Sequence, residues 1–254
     1  QKLTRTRKYY NADETGKALS YYGYRNFKYG TENDPRFTDD NPFSLTKDDD
    51  PQTGSLISYV TGYGVRNNYA TAIGTGDFTI ELWIKPKAAS GANERIFAYG
   101  TNTGSPYNQV ALMFNSSEYL VVRLENSDRI TYSTALKVGL WYHVAIVRAS
   151  GTVTLYVDGV SRGTYSDSSA NYTEDDLMIG YDATLDGSYA FSGYITNFRQ
   201  VNGVAVYTGA FTSPTAPLEL TQSSGTNIAA ITGDATKFLF KPYKEEEVNN
   251  TLPV

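Results

Sequence analysis

Between Phe78 and Pro86 the sequence FTIELWIKP alternates. Phe78, Ile80, Leu82 and Ile84 interleave with Thr79, Glu81, Trp83 and Lys85, and Pro86 stops the run. Side chains of an extended strand point to alternate faces, so this period predicts a β-strand with one face on a core and the other toward solvent. The pattern recurs through Leu120, Val122 and Leu124, and again through Val153, Leu155 and Val157. WYHVAIVR is apolar on both faces, as a central sandwich strand is. LMIG, FSGYITNFR and TKFLFKPY read as further short strands, the last expected to close the sheet beside the strand near Leu56–Val65. No i, i+3, i+4, i+7 pattern persists for three turns. Many short strands punctuated by turn signals predict an all-β sandwich or barrel.

The chain divides into three parts. Residues 1–55 carry no sustained period, and Gly, Pro, Asn and Asp punctuate them. They are nevertheless rich in aromatics, unlike segments that stay unfolded. Arg5, Arg7, Tyr9, Tyr10, Tyr21, Tyr22, Tyr24, Phe27 and Tyr29 are the expected anchors of an extended, largely irregular assembly arm whose aromatics bury mostly against other chains, since Arg and Tyr dominate interface hot spots. Residues 56–243 hold the strand patterns. Residues 244–254 (KEEEVNNTLPV, with Lys244 first) read as an exposed acidic and polar tail.

Composition removes several chemistries. With no cysteine, thiol catalysis, disulfide scaffolds and Cys-ligated zinc are excluded. A single histidine, His143, excludes His-rich metal triads. It lies in an apolar strand and is read as structural, because an acid–base role needs a carboxylate partner and a cleft. The net charge of −5 argues against binding polyanions by bulk charge. The basic residues of the first thirty positions, interleaved with aromatics, belong to no nucleic-acid module, so no nucleic-acid partner is expected. The longest apolar run, 140–147, is too short to span a bilayer, and no membrane insertion is expected. The N-terminus QKLTRTRKYY has no apolar stretch behind it and is not expected to be a signal peptide. It begins without Met, so processing or trimming is expected. The Asn-x-Ser/Thr sequons at Asn115, Asn171 and Asn249 matter only in a eukaryotic secretory route and are set aside.

Four segments read in order, GTGDFTIELWIKP (74–86), GLWYHVAIVRASGTVTLYVDG (139–159), LMIG (177–180) and FSGYITNFRQVNGVAVYTGAFTSPTAPLEL (191–220), resemble the laminin-G-like branch of the concanavalin A-like lectin/glucanase superfamily. The resemblance implies a two-sheet antiparallel jelly-roll sandwich. In it Trp83 and Trp141 lie at sheet faces, Asp158-Gly159 forms a hairpin tip, and Gly193 allows two backbones to approach closely. The stretch VNGVAVYTGAFTSPTAPLEL also resembles laminin-G-like domains of tailed-bacteriophage structural proteins, found in fibres, tails or capsid appendages.

Candidate sites follow from residue chemistry. Calcium needs six to eight oxygens; Asp182 and Asp186 in YDATLDGSYA could supply two carboxylates, although an ordinary Asp/Gly turn is the preferred reading. No cofactor is required on this reading, with calcium the alternative. Tyr181, Asp182, Asp186, Tyr189 and Asn197 form the candidate glycan-binding set. A retaining glycosidase needs two carboxyl groups about 5–5.5 Å apart. Glu81 stands alone on its strand, Glu125 and Asp128 straddle a turn, and Glu174, Asp175 and Asp176 are contiguous. No catalytic residues are therefore assigned, and the chain is not expected to be an enzyme.

The expected function is a non-enzymatic structural and display protein of a virion, a bacteriophage fibre, tail or capsid decoration. Its arm attaches to other virion proteins or to copies of itself, and its sandwich faces outward from the particle. A carbohydrate-binding adhesion module on a cell surface, recognising a surface glycan, is the alternative, and a glycoside hydrolase a more remote one.

Overall fold

The computed structural model of the 254-residue chain describes residues 20–22, 36–38, 42–43, 55–58, 64–67, 70–87, 93–100, 110–181 and 189–241. The described residues form two antiparallel sheets. Along the first lie β1 (Ser20–Tyr22), β4 (Gly64–Asn67), β13 (Leu177–Ile179), β6 (Glu94–Tyr99), β7 (Val110–Phe114), β8 (Leu120–Leu124) and β9 (Ser127–Tyr132). Along the second lie β12 (Val160–Ser166), β11 (Thr152–Val157), β10 (Tyr142–Ala149), β5 (Phe78–Pro86), β14 (Gly193–Asn202), β3 (Ser55–Ser58) and β2 (Arg36–Thr38). β15 (Thr236–Phe240) also pairs with β14.

The predicted alternation places Phe78, Ile80, Leu82 and Ile84 in the main core, facing Phe97, Leu112, Val122 and Ile179 of the first sheet. The expectation for the opposite face is corrected. Thr79 and Glu81 have no exposed surface, and Trp83 is buried as well. An irregular layer formed by residues 203–235 covers this side. There a second apolar cluster joins Ala145, Val147, Tyr156 and Val201 of the sheet to Val206, Tyr207 and Ile231 of the layer. Thr79 Oγ1 stitches the two together, accepting from Val206 N at 2.9 Å and donating to Val204 O at 3.0 Å.

Asp158 and Gly159 form the predicted hairpin tip between β11 and β12, both at positive φ (50° and 75°), the geometry a two-residue turn requires. Gly159 also meets the layer. Its carbonyl accepts from Phe211 N at 3.1 Å, and a Cβ at this position would lie 1.8 Å from Phe211 O. Gly193 likewise permits the expected close approach, since a Cβ there would lie 2.5 Å from the Lys85 carbonyl oxygen.

The expectation for TKFLFKPY needs correction. β15 does not lie beside β3 or β4; it pairs with Phe198, Arg199, Gln200 and Val201 of β14, whereas β3 pairs with Gly193, Tyr194 and Ile195. β5 occupies the other side of β14 throughout, so β3 and β15 follow one another end to end along a single edge.

The described pieces of the 1–55 segment also modify the arm expectation. β1 pairs with β4, β2 pairs with β3, and the Phe43 ring meets Trp83 edge-on at 5.8 Å. These described pieces pair with strands of their own sandwich. Tyr21 and Tyr22 belong to β1. Arg5, Arg7, Tyr9, Tyr10, Tyr24, Phe27 and Tyr29 lie outside the described residues, as does the 244–254 tail.

The opposite flank is closed differently. Arg129 of β9 stacks on Tyr165 of β12, and Arg162 of β12 stacks on Tyr132 of β9, each with the guanidinium 4.9 Å from the ring centre. These crossed cation–π pairs bridge the two outermost strands. Between them Gly163 leaves room for Ile130, which a Cβ would approach to 2.6 Å.

Candidate functional site

A β-bulge builds the chemical centre of the molecule. Thr196 of β14 sits opposite Trp83, but the next outward pair is Arg199 opposite Glu81, so β14 carries one extra residue between them. Asn197 absorbs it with φ at 51°, a conformation that Asn tolerates better than most residues. The extra residue resets the facing of the strand. Phe198 enters the main core, and Arg199 turns outward to meet Glu81. Asn197 secures the bulge: its Oδ1 accepts from Leu218 N at 2.7 Å and its Nδ2 donates to Thr196 Oγ1 at 3.0 Å.

The Glu81 carboxylate is saturated. Its Oε1 accepts from Arg199 Nε at 2.9 Å and Nη2 at 2.6 Å. Its Oε2 accepts from the Tyr207 hydroxyl at 2.6 Å and lies 3.0 Å from His143 Nε2. Burial alone raises the Glu81 carboxyl, yet the Arg199 guanidinium, with His143 and Tyr207, outweighs it and holds the group down to about 2. Burial, with the Glu81 charge beside it, pushes the Tyr207 hydroxyl well above the usual phenol range, so it remains a donor. Arg199 is equally committed: Nη1 donates to Glu219 O and Nη2 to Gln222 Oε1, both at 2.6 Å.

The structure gives His143 the carboxylate partner that the sequence reading did not foresee, Glu81, 3.0 Å from Nε2. His143 is fully buried, with its ring edge-on to Trp83, Tyr207 and Phe211 at 5.3–5.9 Å. Nδ1 has no hydrogen-bond partner, whereas a proton relay through the ring needs one at each nitrogen. A carboxylate with four donors and a low pKa is a poor proton carrier and an effective fastener. Chemically, this cluster ties β5, β10 and β14 to the covering layer. Above Arg199 and Tyr207 the layer forms a shallow, solvent-open depression of about 290 Å³, lined by Thr212, Thr215, Thr221 and Ser223 among others.

The other end of the same face carries a half-buried aromatic cluster. Trp141 and Tyr194 lie with ring centres 6.3 Å apart, tilted by 59°. The Lys85 ammonium sits 5.7 Å from the first ring and 4.9 Å from the second. Val138 and Leu140, in the loop leading to Trp141, are 54% and 51% exposed. Gly139 N donates to Pro86 O at 2.7 Å and pins this loop to the end of β5. The result is an aromatic platform with a cation at its centre and an aliphatic margin.

Of the candidate glycan set, Tyr181 is buried at the end of the first sheet, where its ring fills the space beside Gly64. Tyr189 is half-buried, with the Arg95 guanidinium 5.7 Å from its ring. Asn197 is fully buried and belongs to the bulge and Leu218, not to the loop that carries the two tyrosines. Asp182 and Asp186 lie outside the described residues. Among the described residues no three His, Cys, Asp or Glu side chains come together as a metal site. Sequence reasoning passed over Arg199, Tyr207 and the Trp141–Lys85–Tyr194 platform. One signal was present: charges of opposite sign in the middle of two strands, Glu81 between Ile80 and Leu82 and Arg199 directly after Phe198.

A second buried arginine is also structural. Arg148 donates to the carbonyls of Gly74, Gly76 and Ala170 and to Asp167 Oδ2, which also accepts from the Tyr172 hydroxyl at 2.8 Å.

A family model of the laminin G type, described as the concanavalin A-like lectin/glucanases superfamily, matches residues 60–214. The chain belongs to this superfamily. Among solved structures, a carbohydrate-binding protein of Bacteroides ovatus, so described provisionally, is similar in fold. It has a TM-score of 0.51 and 16% identity over 72% of this chain and 52% of that one. A Trypanosoma rangeli sialidase matches at TM-score 0.47 and 13% identity, over 57% of this chain and 25% of its own. A heptameric SAP-like pentraxin from Limulus polyphemus matches at TM-score 0.43 and 17% identity, over 70% of this chain and 85% of its own. The chain thus spans about a quarter of the sialidase and about half of the Bacteroides protein.

Proposed function

We propose that this superfamily member is a non-enzymatic display module that presents a glycan-adhesive face. The carrying observation is the division of the second sheet's outer face. Among the described residues, the carboxylate at its centre, Glu81, is consumed by Arg199, Tyr207 and His143 beneath the 203–235 layer. At its end the half-buried Trp141, Lys85 and Tyr194 bring two aromatic rings and an ammonium together. Glycoside hydrolysis asks for a second carboxyl group about 5–5.5 Å away, or farther for inversion, and for one that can carry a proton. Aromatic rings with a polar group among them suit a sugar, whose apolar face stacks while its hydroxyls find donors. On this reading residues 1–55 fasten the chain to neighbouring subunits. The setting is a virion surface, as a bacteriophage fibre, tail or capsid decoration, and what supports it is the resemblance of residues 201–220 noted above.

The test pairs two measurements on the full chain. Prolonged incubation with a panel of oligosaccharides should yield no cleavage products by chromatography, and a glycan array should show retained ligands. Turnover that disappears in Glu81→Gln would replace the proposal with a hydrolase.

A further inference from the structure

The depression above Arg199 is framed by a pinned part of the covering layer. Asn197 Oδ1 accepts from Leu218 N at 2.7 Å, Thr236 Oγ1 donates to Leu220 O at 2.7 Å, and Gln222 exchanges two backbone hydrogen bonds with Ile231 at 3.1 and 3.0 Å. The Gln222 side chain is fixed as well: its Oε1 accepts from Arg199 Nη2, and its Nε2 donates to Ala229 O at 3.2 Å. On this frame the exposed residues Thr212, Thr215, Thr221 and Ser223 line the depression. Their hydroxyls make no hydrogen bond to other side chains or to the backbone among the described residues. Arg199 lies at the floor. Of the five N–H groups of a guanidinium, four are engaged: Nε and one of Nη2 by Glu81, the second of Nη2 by Gln222, and one of Nη1 by Glu219 O. One Nη1 hydrogen is left over on a fully buried side chain, where an unmade bond is unfavourable. Pro214, Pro217 and Ile228 give the walls an apolar component.

Charge selects the class of ligand. The Arg199 charge is balanced by Glu81, and the Glu219 carboxylate at the rim meets Lys241 Nζ at 3.1 Å. A neutral basin rich in hydroxyls, with apolar walls, suits an uncharged polyol whose hydroxyls meet the threonines while its C–H faces meet the prolines. Its volume of about 290 Å³ lies at the lower bound of ligand clefts, roughly 300–1,000 Å³, and matches one sugar ring better than a chain of them. We propose that this depression is a second binding site, for a single uncharged pyranose. Glu81 and Lys85 lie four residues apart along β5, roughly 13 Å. The site is therefore distinct from the Trp141–Lys85–Tyr194 platform and stands whether or not that platform binds glycans. An open polar site of this size binds weakly, with a Kd of about 1–10 mM. Such complexes do not survive the washes of a glycan array, so an array reports on the platform and a titration in solution reports on this site.

The experiment is an NMR titration of the isotope-labelled full chain with the methyl glycosides of glucose, galactose, mannose and N-acetylglucosamine, and with galacturonate as the anionic comparison. At least one neutral glycoside should shift the backbone amides of residues 218–223 with a Kd of about 1–10 mM. Galacturonate should bind at least about tenfold more weakly, because its charge finds no unbalanced cation. Two kinds of variant act on exposed lining residues. Thr215→Val combined with Thr221→Val removes two hydroxyls and should weaken binding at least about fivefold; Ala216→Trp fills the basin and should abolish binding. Neither should change the melting temperature, and Trp141→Ala should leave the Kd as it was. Absence of shifts in 218–223 with every neutral glycoside up to about 50 mM, several times the expected Kd, overturns the proposal. Binding that is unchanged in both kinds of variant overturns it too, as does binding that vanishes in Trp141→Ala, which assigns the sugar to the platform. Galacturonate bound as tightly as the neutral glycosides overturns the uncharged class of ligand.

Discussion

Glu81 and Arg199 are separated by 118 residues in the sequence, yet they are register partners on adjacent strands, with Arg199 Nη2 2.6 Å from Glu81 Oε1. The pair has no exposed surface. It joins the sheet to the layer, because the same guanidinium holds Glu219 O and Gln222 Oε1.

Removing one partner strands the other charge in the interior. Arg199→Met should cost about 3–5 kcal/mol of unfolding free energy. Combining it with Glu81→Met should recover part of that loss, because the uncompensated charge disappears. Urea denaturation of the single and double variants measures both. Additive losses would show that the two side chains do not interact.

The pair also sets an acid limit. A carboxyl held at about 2 in the folded chain and near 4.3 when unfolded favours the folded state throughout the range above the unfolded value. That contribution, roughly 3 kcal/mol, is lost as pH falls from about 4.3 toward 2. Stability measured between pH 6 and pH 2 should fall more steeply in the native chain than in the Glu81→Met, Arg199→Met double variant. Equal slopes would place the acid sensitivity elsewhere.

Asn197 combines two separable roles. Asn197→Gly retains the positive φ but loses the bond to Leu218 N, and should cost about 1–2 kcal/mol. Asn197→Ala adds backbone strain and should cost about 1 kcal/mol more. Thermal melts rank the two. The layer should also become sensitive to proteolysis near residues 212–218, since Leu218 loses its anchor. An Ala variant as stable as the Gly variant would remove the strain argument.

The strands of the main core were legible in the sequence because alternation at 78–86, 120–124 and 153–157 is long enough to count. Asp158-Gly159 was legible because a tight hairpin needs two residues at positive φ. The second core was not. Residues 203–235 cover Glu81 with an irregular path whose Gly, Pro and Thr residues carry no period, so the outer face of β5 read as solvent-facing. Asn197 was taken for a surface ligand because a bulge has no signature in residue spacing. β1 and β2 are three residues each, too short for alternation to appear. The platform escaped notice because Trp141, Lys85 and Tyr194 come from three strands or their ends, brought together only by the register that sets Lys85 opposite Tyr194.

The central proposal is that the Trp141–Lys85–Tyr194 end of this sheet binds glycans without cleaving them. It is tested most directly by a glycan array with the full chain beside Trp141→Ala and Tyr194→Ala, since neither ring belongs to the main core or to the Glu81 cluster. The account predicts retained glycans for the native chain and a signal at least about fivefold to tenfold weaker in each variant, the loss of one stacked ring, with unchanged melting temperature. An empty array for the native chain, or full binding in both variants, would contradict it.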